Sequence, residues 1–195
     1  MTHLNEKNKI DTGPISLDEW NKLKPHLSGI WPVFYELLWQ TGIRVSEGLN
    51  ISSTDLITGF KDNYISVRRL KKRNYIVDDL PINGHLMNDI LSLSSGKDYI
   101  FSRVIKRREK KYSRITAYKH LQDALKLARM ERKLHPHSFR HGFAKRLAEI
   151  KFLTALDSLQ LIKKALNLST INYATRYSEM SDNQAINILK KLNHS

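Results

Sequence analysis

The 195-residue sequence predicts a mainly α-helical domain that carries one small antiparallel β-sheet, an α+β fold. Three observations predict it. Apolar residues recur at three- and four-residue spacing through most of the chain, the period of a helix with one buried face. Helix start and stop residues bracket those stretches. Only around Tyr64-Ile65-Ser66-Val67-Arg68 and Tyr75-Ile76-Val77 does the period fall to two. Lys71-Lys72-Arg73-Asn74 lies between those runs, which makes them a β-hairpin with a basic tip.

Each element follows in chain order. Residues 1–14 read as a flexible arm. Ser16-Leu17-Asp18-Glu19 has the spacing of a capping box and opens a helix to about Leu27. Pro32 suits the first turn of the next helix and Gly42 its end. That helix holds Trp31, Val33, Phe34, Leu37 and Leu38, so it is expected in the core. A short helix follows over Val45 to Leu49. A strand at Leu56 to Phe60 is expected to join the hairpin in the sheet. Asn83 can cap a helix to about Leu93. Ile115, Tyr118, Leu121, Leu125 and Ala128 recur at helical spacing. Further helices are expected at Ser138 to Ile150, Thr154 to Leu166 and Thr170 to Tyr177. The last begins near Asp182, with Ile186, Leu189 and Leu192 on one stripe. The expected organisation is one domain over residues 15–178 and a terminal helix over 179–195.

Composition narrows the function. The chain has 33 Lys and Arg against 19 Asp and Glu, a net charge of +14. Such an excess points to a polyanionic partner, and nucleic acid is the first candidate. Two runs concentrate it: Arg68 to Arg73, with Arg68, Arg69, Lys71, Lys72 and Arg73, and Lys106 to Lys111, with Lys106, Arg107, Arg108, Lys110 and Lys111. Clusters of this kind suit backbone phosphates, and the alternative is a solvated loop. There are no cysteines, which excludes disulfides, thiolate zinc sites and a thiol nucleophile. No apolar run approaches the length of a membrane span, and Met1 to Asp11 is polar and mixed in charge. These features lead to the expectation of a cytoplasmic protein, nucleoid-associated if bacterial.

Three stretches carry candidate chemistry. In Thr41-Gly42-Ile43-Arg44-Val45-Ser46-Glu47, Arg44 stands at a helix junction, where its planar fork can grip phosphate oxygens. The competing role is a surface pair with Glu47. In His135-Pro136-His137-Ser138-Phe139-Arg140-His141, a helix wheel places His137, Arg140 and His141 on one face and Phe139, Phe143 and Ile150 on the other. Phosphate chemistry fits this group better than a metal, because no acidic third ligand stands near His137 and His141. In Leu166 to Tyr177, a phenol can serve as nucleophile if cations and a base lower the cost of ionising it. Spacing alone does not separate Tyr173 from Tyr177.

Together and in this order, the three stretches resemble the catalytic domain of tyrosine recombinases, the phage-integrase family, over about Ile15 to Tyr177. The resemblance implies the catalytic-domain fold of that family and a site-specific recombinase that works without cofactor or metal. Arg44 and Arg140 would clamp the scissile phosphate. His137 would accept the proton of the nucleophile, and Lys71, with Lys72 as runner-up, would protonate the leaving 5′-oxygen. Tyr177 is the nucleophile in the register where Leu166-Asn167-Leu168-Ser169-Thr170-Ile171 resembles Leu-Gly-His-Ser-Ser-Ile. Leu168 then stands where the family carries His or Trp. The short N-terminal arm is similar to that of the single-domain recombinases that invert fimbrial promoter segments, and a fragment of a longer integrase fits equally well. His141 joins Arg68, Arg69, Lys72, Arg73 and the second basic run as an expected DNA contact. The resemblance also implies a homotetramer on DNA, with the terminal helix docked on a neighbouring protomer, and accessory DNA-bending proteins. Two other readings are a recombinase-like DNA-binding protein with little or no catalysis, which Leu168 favours, and a type IB topoisomerase-like relaxing enzyme.

Overall fold

A computed structural model describes residues 13–57, 63–70, 75–150 and 154–168. The chain divides into two compact units on either side of Phe143, a division that falls inside the segment 15–178. The expected elements at Thr170 to Tyr177 and beyond Asp182, and the arm up to residue 12, lie outside the described residues.

The first unit begins with α1 (Leu17–Leu23). Its capping box forms as the sequence predicts. The Ser16 hydroxyl accepts the Glu19 amide at 3.2 Å, and the Ser16 amide donates to the Glu19 carboxylate at 2.8 Å. The α-helix stops at Leu23, short of the expected Leu27, and continues as a 3-10 turn over Lys24–His26. Pro25 has no N–H for the next helical bond, and its ring crowds the carbonyl four residues back.

Helix α2 (Trp31–Thr41) buries Trp31, Phe34, Tyr35, Leu37, Leu38 and Trp39 around most of its circumference. A helix that is apolar all round is a core helix. Aromatic rings knit it to its surroundings. Trp39 stacks on Trp20, and Phe139 meets Trp20 edge-on at 5.4 Å and lies 4.9 Å from Tyr35. The Tyr35 phenol donates to the Ala117 carbonyl at 2.8 Å, and burial raises its pKa, so it keeps its proton. Gly42 ends α2 in the left-handed region at φ 63°, which glycine adopts without Cβ strain.

Two short helices follow, α3 (Val45–Gly48) and α4 (Thr54–Ile57). Helix α4 corrects the expected strand at Leu56 to Phe60, since Leu56 and Ile57 are helical. The Asp55 carboxylate accepts both the amide and the hydroxyl of Ser52, and this local bonding closes a helical turn.

Strands β1 (Tyr64–Leu70) and β2 (Tyr75–Pro81) form the predicted antiparallel hairpin, with Leu70 opposite Tyr75. Lys71 to Asn74 lie outside the described residues. Helix α5 (Gly84–Ser94) starts where predicted, because the Asn83 side chain accepts the Leu86 amide at 2.8 Å. A second hairpin, β3 (Ser102–Ile105) and β4 (Arg108–Lys111), was not expected. Among the described residues the sheet content is therefore two two-stranded ribbons. The second basic run is largely strand, and Glu109 inside it accepts the amides of Asp98 and Tyr99.

Helix α6 (Arg114–Leu127) buries Ala117, Leu121, Ala124 and Leu125. Ile115, expected on that stripe, is instead 69% exposed. Helix α7 (His137–Ala148) buries Phe139 completely, leaves Phe143 half-buried and is followed by an exposed Ile150. The outer part of the expected apolar face is thus open among the described residues. Near its start, α7 meets the segment before α1: the Ile15 amide donates to the Ser138 carbonyl at 3.1 Å.

In the second unit, α8 (Ala155–Ala165) is capped by Thr154, whose hydroxyl accepts the Asp157 amide. It ends in a Schellman motif. Asn167 takes φ 49°, its amide donates to Lys164, and the Leu168 amide donates to Lys163.

Gly142 gives a test of the contact between α7 and the segment before α1. A Cβ there would lie 2.6 Å from the Ile15 carbonyl oxygen. Gly→Ala within a helix ordinarily stabilises by about 1 kcal/mol. Here Gly142→Ala is expected to destabilise by about 1–3 kcal/mol, the usual range for overpacking. The urea midpoint reads the sign, and a rise would refute the close approach.

Candidate active site

The predicted cationic groups of the first and second stretches converge in the first unit. Arg140 is 3% exposed, and its guanidinium donates to the Gly42 carbonyl at 2.8 Å. That bond joins positions 98 residues apart and places Arg140 against the junction that carries Arg44. Arg44 itself is the N-cap of α3, with extended backbone. Its amide donates to one Glu47 carboxylate oxygen at 2.7 Å, and its guanidinium donates to the other at 2.8 Å. The pairing with Glu47 considered from the sequence is therefore present. It does not consume the fork, because a guanidinium has five N–H donors and this side chain is 42% exposed.

A cleft of about 440 Å³ opens beside Arg44. Its lining includes Arg44 and Ser46, His135 just before α7, His137 at the start of α7, and Arg114, Ile115 and Tyr118 from α6. His137 and His141 meet with ring centroids 4.7 Å apart and nearly perpendicular planes. The His137 pKa is lowered to about 4, first by burial and then by the charges of His141, Arg140, His135 and Arg44. At neutral pH His137 is thus an uncharged imidazole among cations, able to accept a proton. The cleft combines positive charge, which favours an anion, with a neutral base.

The other sequence-predicted residues divide into three groups. Arg68, Lys106, Arg107, Arg108, Lys110 and Lys111 are exposed. Lys111 also lies 4.3 Å over the Tyr99 ring and bonds Asn50. Lys71, Lys72, Arg73, Tyr173 and Tyr177 lie outside the described residues. Arg69 is a correction: it is fully buried, with its guanidinium 3.0 Å from the Asp78 carboxylate. Burial lowers its pKa, and the charges of Asp78 and Glu47 act the other way. Strand alternation explains the burial, because Ile65, Val67 and Arg69 share one face of β1 and the first two are core residues. Arg69 is a buried counter-ion beneath the site and not a surface contact for DNA.

Sequence reasoning missed Arg114, Tyr118 and His135 as cleft residues. Arg114 and Tyr118 stand four apart on α6, a spacing that puts them on one helix face. The apolar stripe of that helix masks the signal in the sequence, because Ile115 and Tyr118 also fit its spacing.

The fold is that of a tyrosine recombinase catalytic domain. It superposes on XerA recombinase with a TM-score of 0.66 at 21% identity, over 94% of this chain and 66% of that one. It superposes on the lambda integrase dimer bound to a COC′ core site with a TM-score of 0.65 at 19% identity, over 89% of this chain and 49% of that one. The pre-cleavage complex of XerH with its difH substrate gives 0.67 at 17% identity, over 93% and 54%.

The sequence pattern of the Phage integrase family matches residues 25–184, and the chain belongs to that family. It is 31% identical over 166 residues to a probable integrase/recombinase of Acholeplasma phage L2, covering 82% of this chain and 52% of the relative. It is 23% identical over 157 residues to a tyrosine recombinase of Thermosipho africanus, covering 80% and 52%. The chain spans about half the length of the curated relatives it matches.

The His137 environment has a measurable consequence. Its imidazole resonances are expected to titrate near pH 4 in a two-dimensional NMR experiment, against an ordinary value of 6.5. Because the folded-state pKa lies below the unfolded one, the His137 contribution to stability is unaffected by pH above about 6.5. It diminishes as pH falls from there towards 4, where the unfolded chain takes up a proton that the folded site refuses. Titration at 6.5 would mean that neither burial nor the neighbouring charges act on the ring.

Proposed function

We propose that this chain cuts and rejoins double-stranded DNA at defined sites through a 3′-phosphotyrosyl intermediate. The observation that carries this reading is a cleft lined by Arg44 and neutral His137, with buried Arg140 held against the adjoining Gly42 junction and its charge acting on His137. Two guanidinium groups and a proton acceptor are what in-line attack on a phosphodiester needs. The transition state concentrates negative charge on the non-bridging oxygens, so cations held in place beforehand stabilise it more than the ground state.

In the proposed step, the Tyr177 phenol oxygen forms a bond to phosphorus as the bond to the 5′-oxygen breaks. His137 takes the phenolic proton, and Lys71 gives one to the leaving oxygen. One phosphodiester is exchanged for another, so religation by a 5′-hydroxyl needs no external energy source. The register that assigns Tyr177 is supported by Asn167. It adopts the left-handed conformation that glycine would take at that position, just after α8. The exposed Arg68 and the basic β3–β4 hairpin would carry flanking phosphates. On the same reading, the working assembly is a tetramer on DNA, aided by DNA-bending proteins. In it, the segment 179–195 would dock on a neighbouring protomer.

A second reading is a DNA-binding member with weak or no catalysis. Leu168 favours it, because its side chain has no hydrogen to donate where the family carries His or Trp.

The test is a covalent adduct. With supercoiled or nicked DNA from the chain's own genetic neighbourhood, the unmodified protein and Tyr173→Phe are expected to give a denaturation-resistant protein–DNA adduct. Tyr177→Phe is expected to give none. Binding itself should weaken steeply with salt, by about a thousandfold from 50 to 200 mM if about six phosphates are neutralised. Salt-sensitive binding without an adduct would select the second reading. Relaxation of supercoils without preference for site would select a topoisomerase-like activity.

A further inference from the structure

His135 is absent from the roles assigned above, yet it lines the same cleft as Arg44 and His137. Its orientation is set by two contacts. Its Nδ1 accepts the backbone amide of His137 at 3.1 Å, and its ring lies against Tyr118, with centroids 5.6 Å apart. The backbone holds it from a third side: its amide donates to the Ser138 hydroxyl, and its carbonyl accepts the Ser138 amide at 2.8 Å. Ser138 is fully buried, so this loop is anchored to the core.

An imidazole that accepts at Nδ1 carries its proton at Nε2 when neutral. Burial lowers the pKa of His135, which keeps the ring in that neutral form. Among the described residues Nε2 makes no hydrogen bond. The ring therefore has a fixed tautomer, a fixed plane and a donor on the edge away from the backbone, in a cleft lined with cations.

We propose that His135, through Nε2–H, donates a hydrogen bond to a non-bridging oxygen of the phosphodiester held in the Arg44–His137 cleft. His135 then acts on the reacting group directly and is a further catalytic residue. The proposal rests on the strand-cutting reading for the identity of that phosphate. It differs from a positioning role, in which His135 would act only by bonding the His137 amide.

Two substitutions separate these roles, because each keeps one ring nitrogen's function. His135→Asn retains an acceptor near the Nδ1 position and removes the distal donor. His135→Gln retains a donor near the Nε2 position and removes the proximal acceptor. Thermal unfolding of each variant reports whether the fold is intact. The adduct rate is measured on the nicked duplex used for Tyr177.

A donor to the phosphate predicts that His135→Asn slows adduct formation by about 10- to 100-fold, in keeping with the loss of one preorganised donor. His135→Gln should stay within about threefold of the unmodified protein. The reverse order, equal losses in both variants or no loss in either would each overturn the proposal. If the unmodified protein gives no adduct, the strand-cutting reading fails by itself. His135 is then judged by affinity for the same duplex at fixed salt. Weaker binding by His135→Asn than by His135→Gln supports the donor, and equal affinities overturn it.

Discussion

The hydrogen bond from the Arg140 guanidinium to the Gly42 carbonyl is the constraint on which the site depends. A carbonyl at the end of a helix lacks an intrahelical partner, and a buried cation needs hydrogen bonds in place of water. Each satisfies part of the other's need. The bond requires the chain to leave α2 abruptly, which Gly42 does at φ 63°. It also requires α7 to be rotated correctly about its axis. Phe139, the residue before Arg140, sets that rotation by packing between Trp20 and Tyr35. Successive helical residues point about 100° apart, so one anchored ring fixes the direction of its neighbours.

The positive site is stabilised from beneath by negative charge. Glu47 is nearly buried and binds both the amide and the guanidinium of Arg44. Asp78 pairs with Arg69 on the adjacent hairpin. These carboxylates offset the mutual repulsion of Arg44 and the buried Arg69. The residues facing the cleft can then stay cationic or neutral as the chemistry requires. His137 is the neutral member because partial desolvation and the positive charges around it both disfavour its protonated form. Burial also lowers the pKa of His135.

Much of this was legible in the sequence where one residue type has one dominant local role. Ser16 with Glu19, Asn83, and Gly42 marked helix ends because caps and left-handed residues act within a few positions of themselves. The His137–Arg140 spacing was legible because helical geometry turns a three-residue separation into a shared face. Other features depended on competition that the sequence shows poorly. Leu56 and Ile57 fit a strand by composition, but the Ser52–Asp55 bonding selected a turn of helix. Arg69 was hidden by its charge: it sits in a basic run, yet the alternation of Ile65 and Val67 points it inward. Ile115 follows the helical stripe in number but faces the cleft, because the width of a buried face depends on what packs against it. The β3–β4 hairpin lacked the usual signals, having little apolar alternation and no glycine or asparagine at its turn.

That turn has a consequence for how the sequence is conserved or changed. Lys106 and Arg107 both adopt positive φ, at 50° and 63°, as a type I′ connection requires. Long side chains are poor choices there, and each left-handed non-glycine residue costs roughly 1 kcal/mol or more. Selection for foldability alone would replace the pair with Asn-Gly. A lineage that keeps the cations at this turn is therefore retaining charge against a steady mutational pull towards a more stable chain. If the hairpin carries DNA phosphates as proposed, drift at these two positions would be an early sign that the contact has been lost.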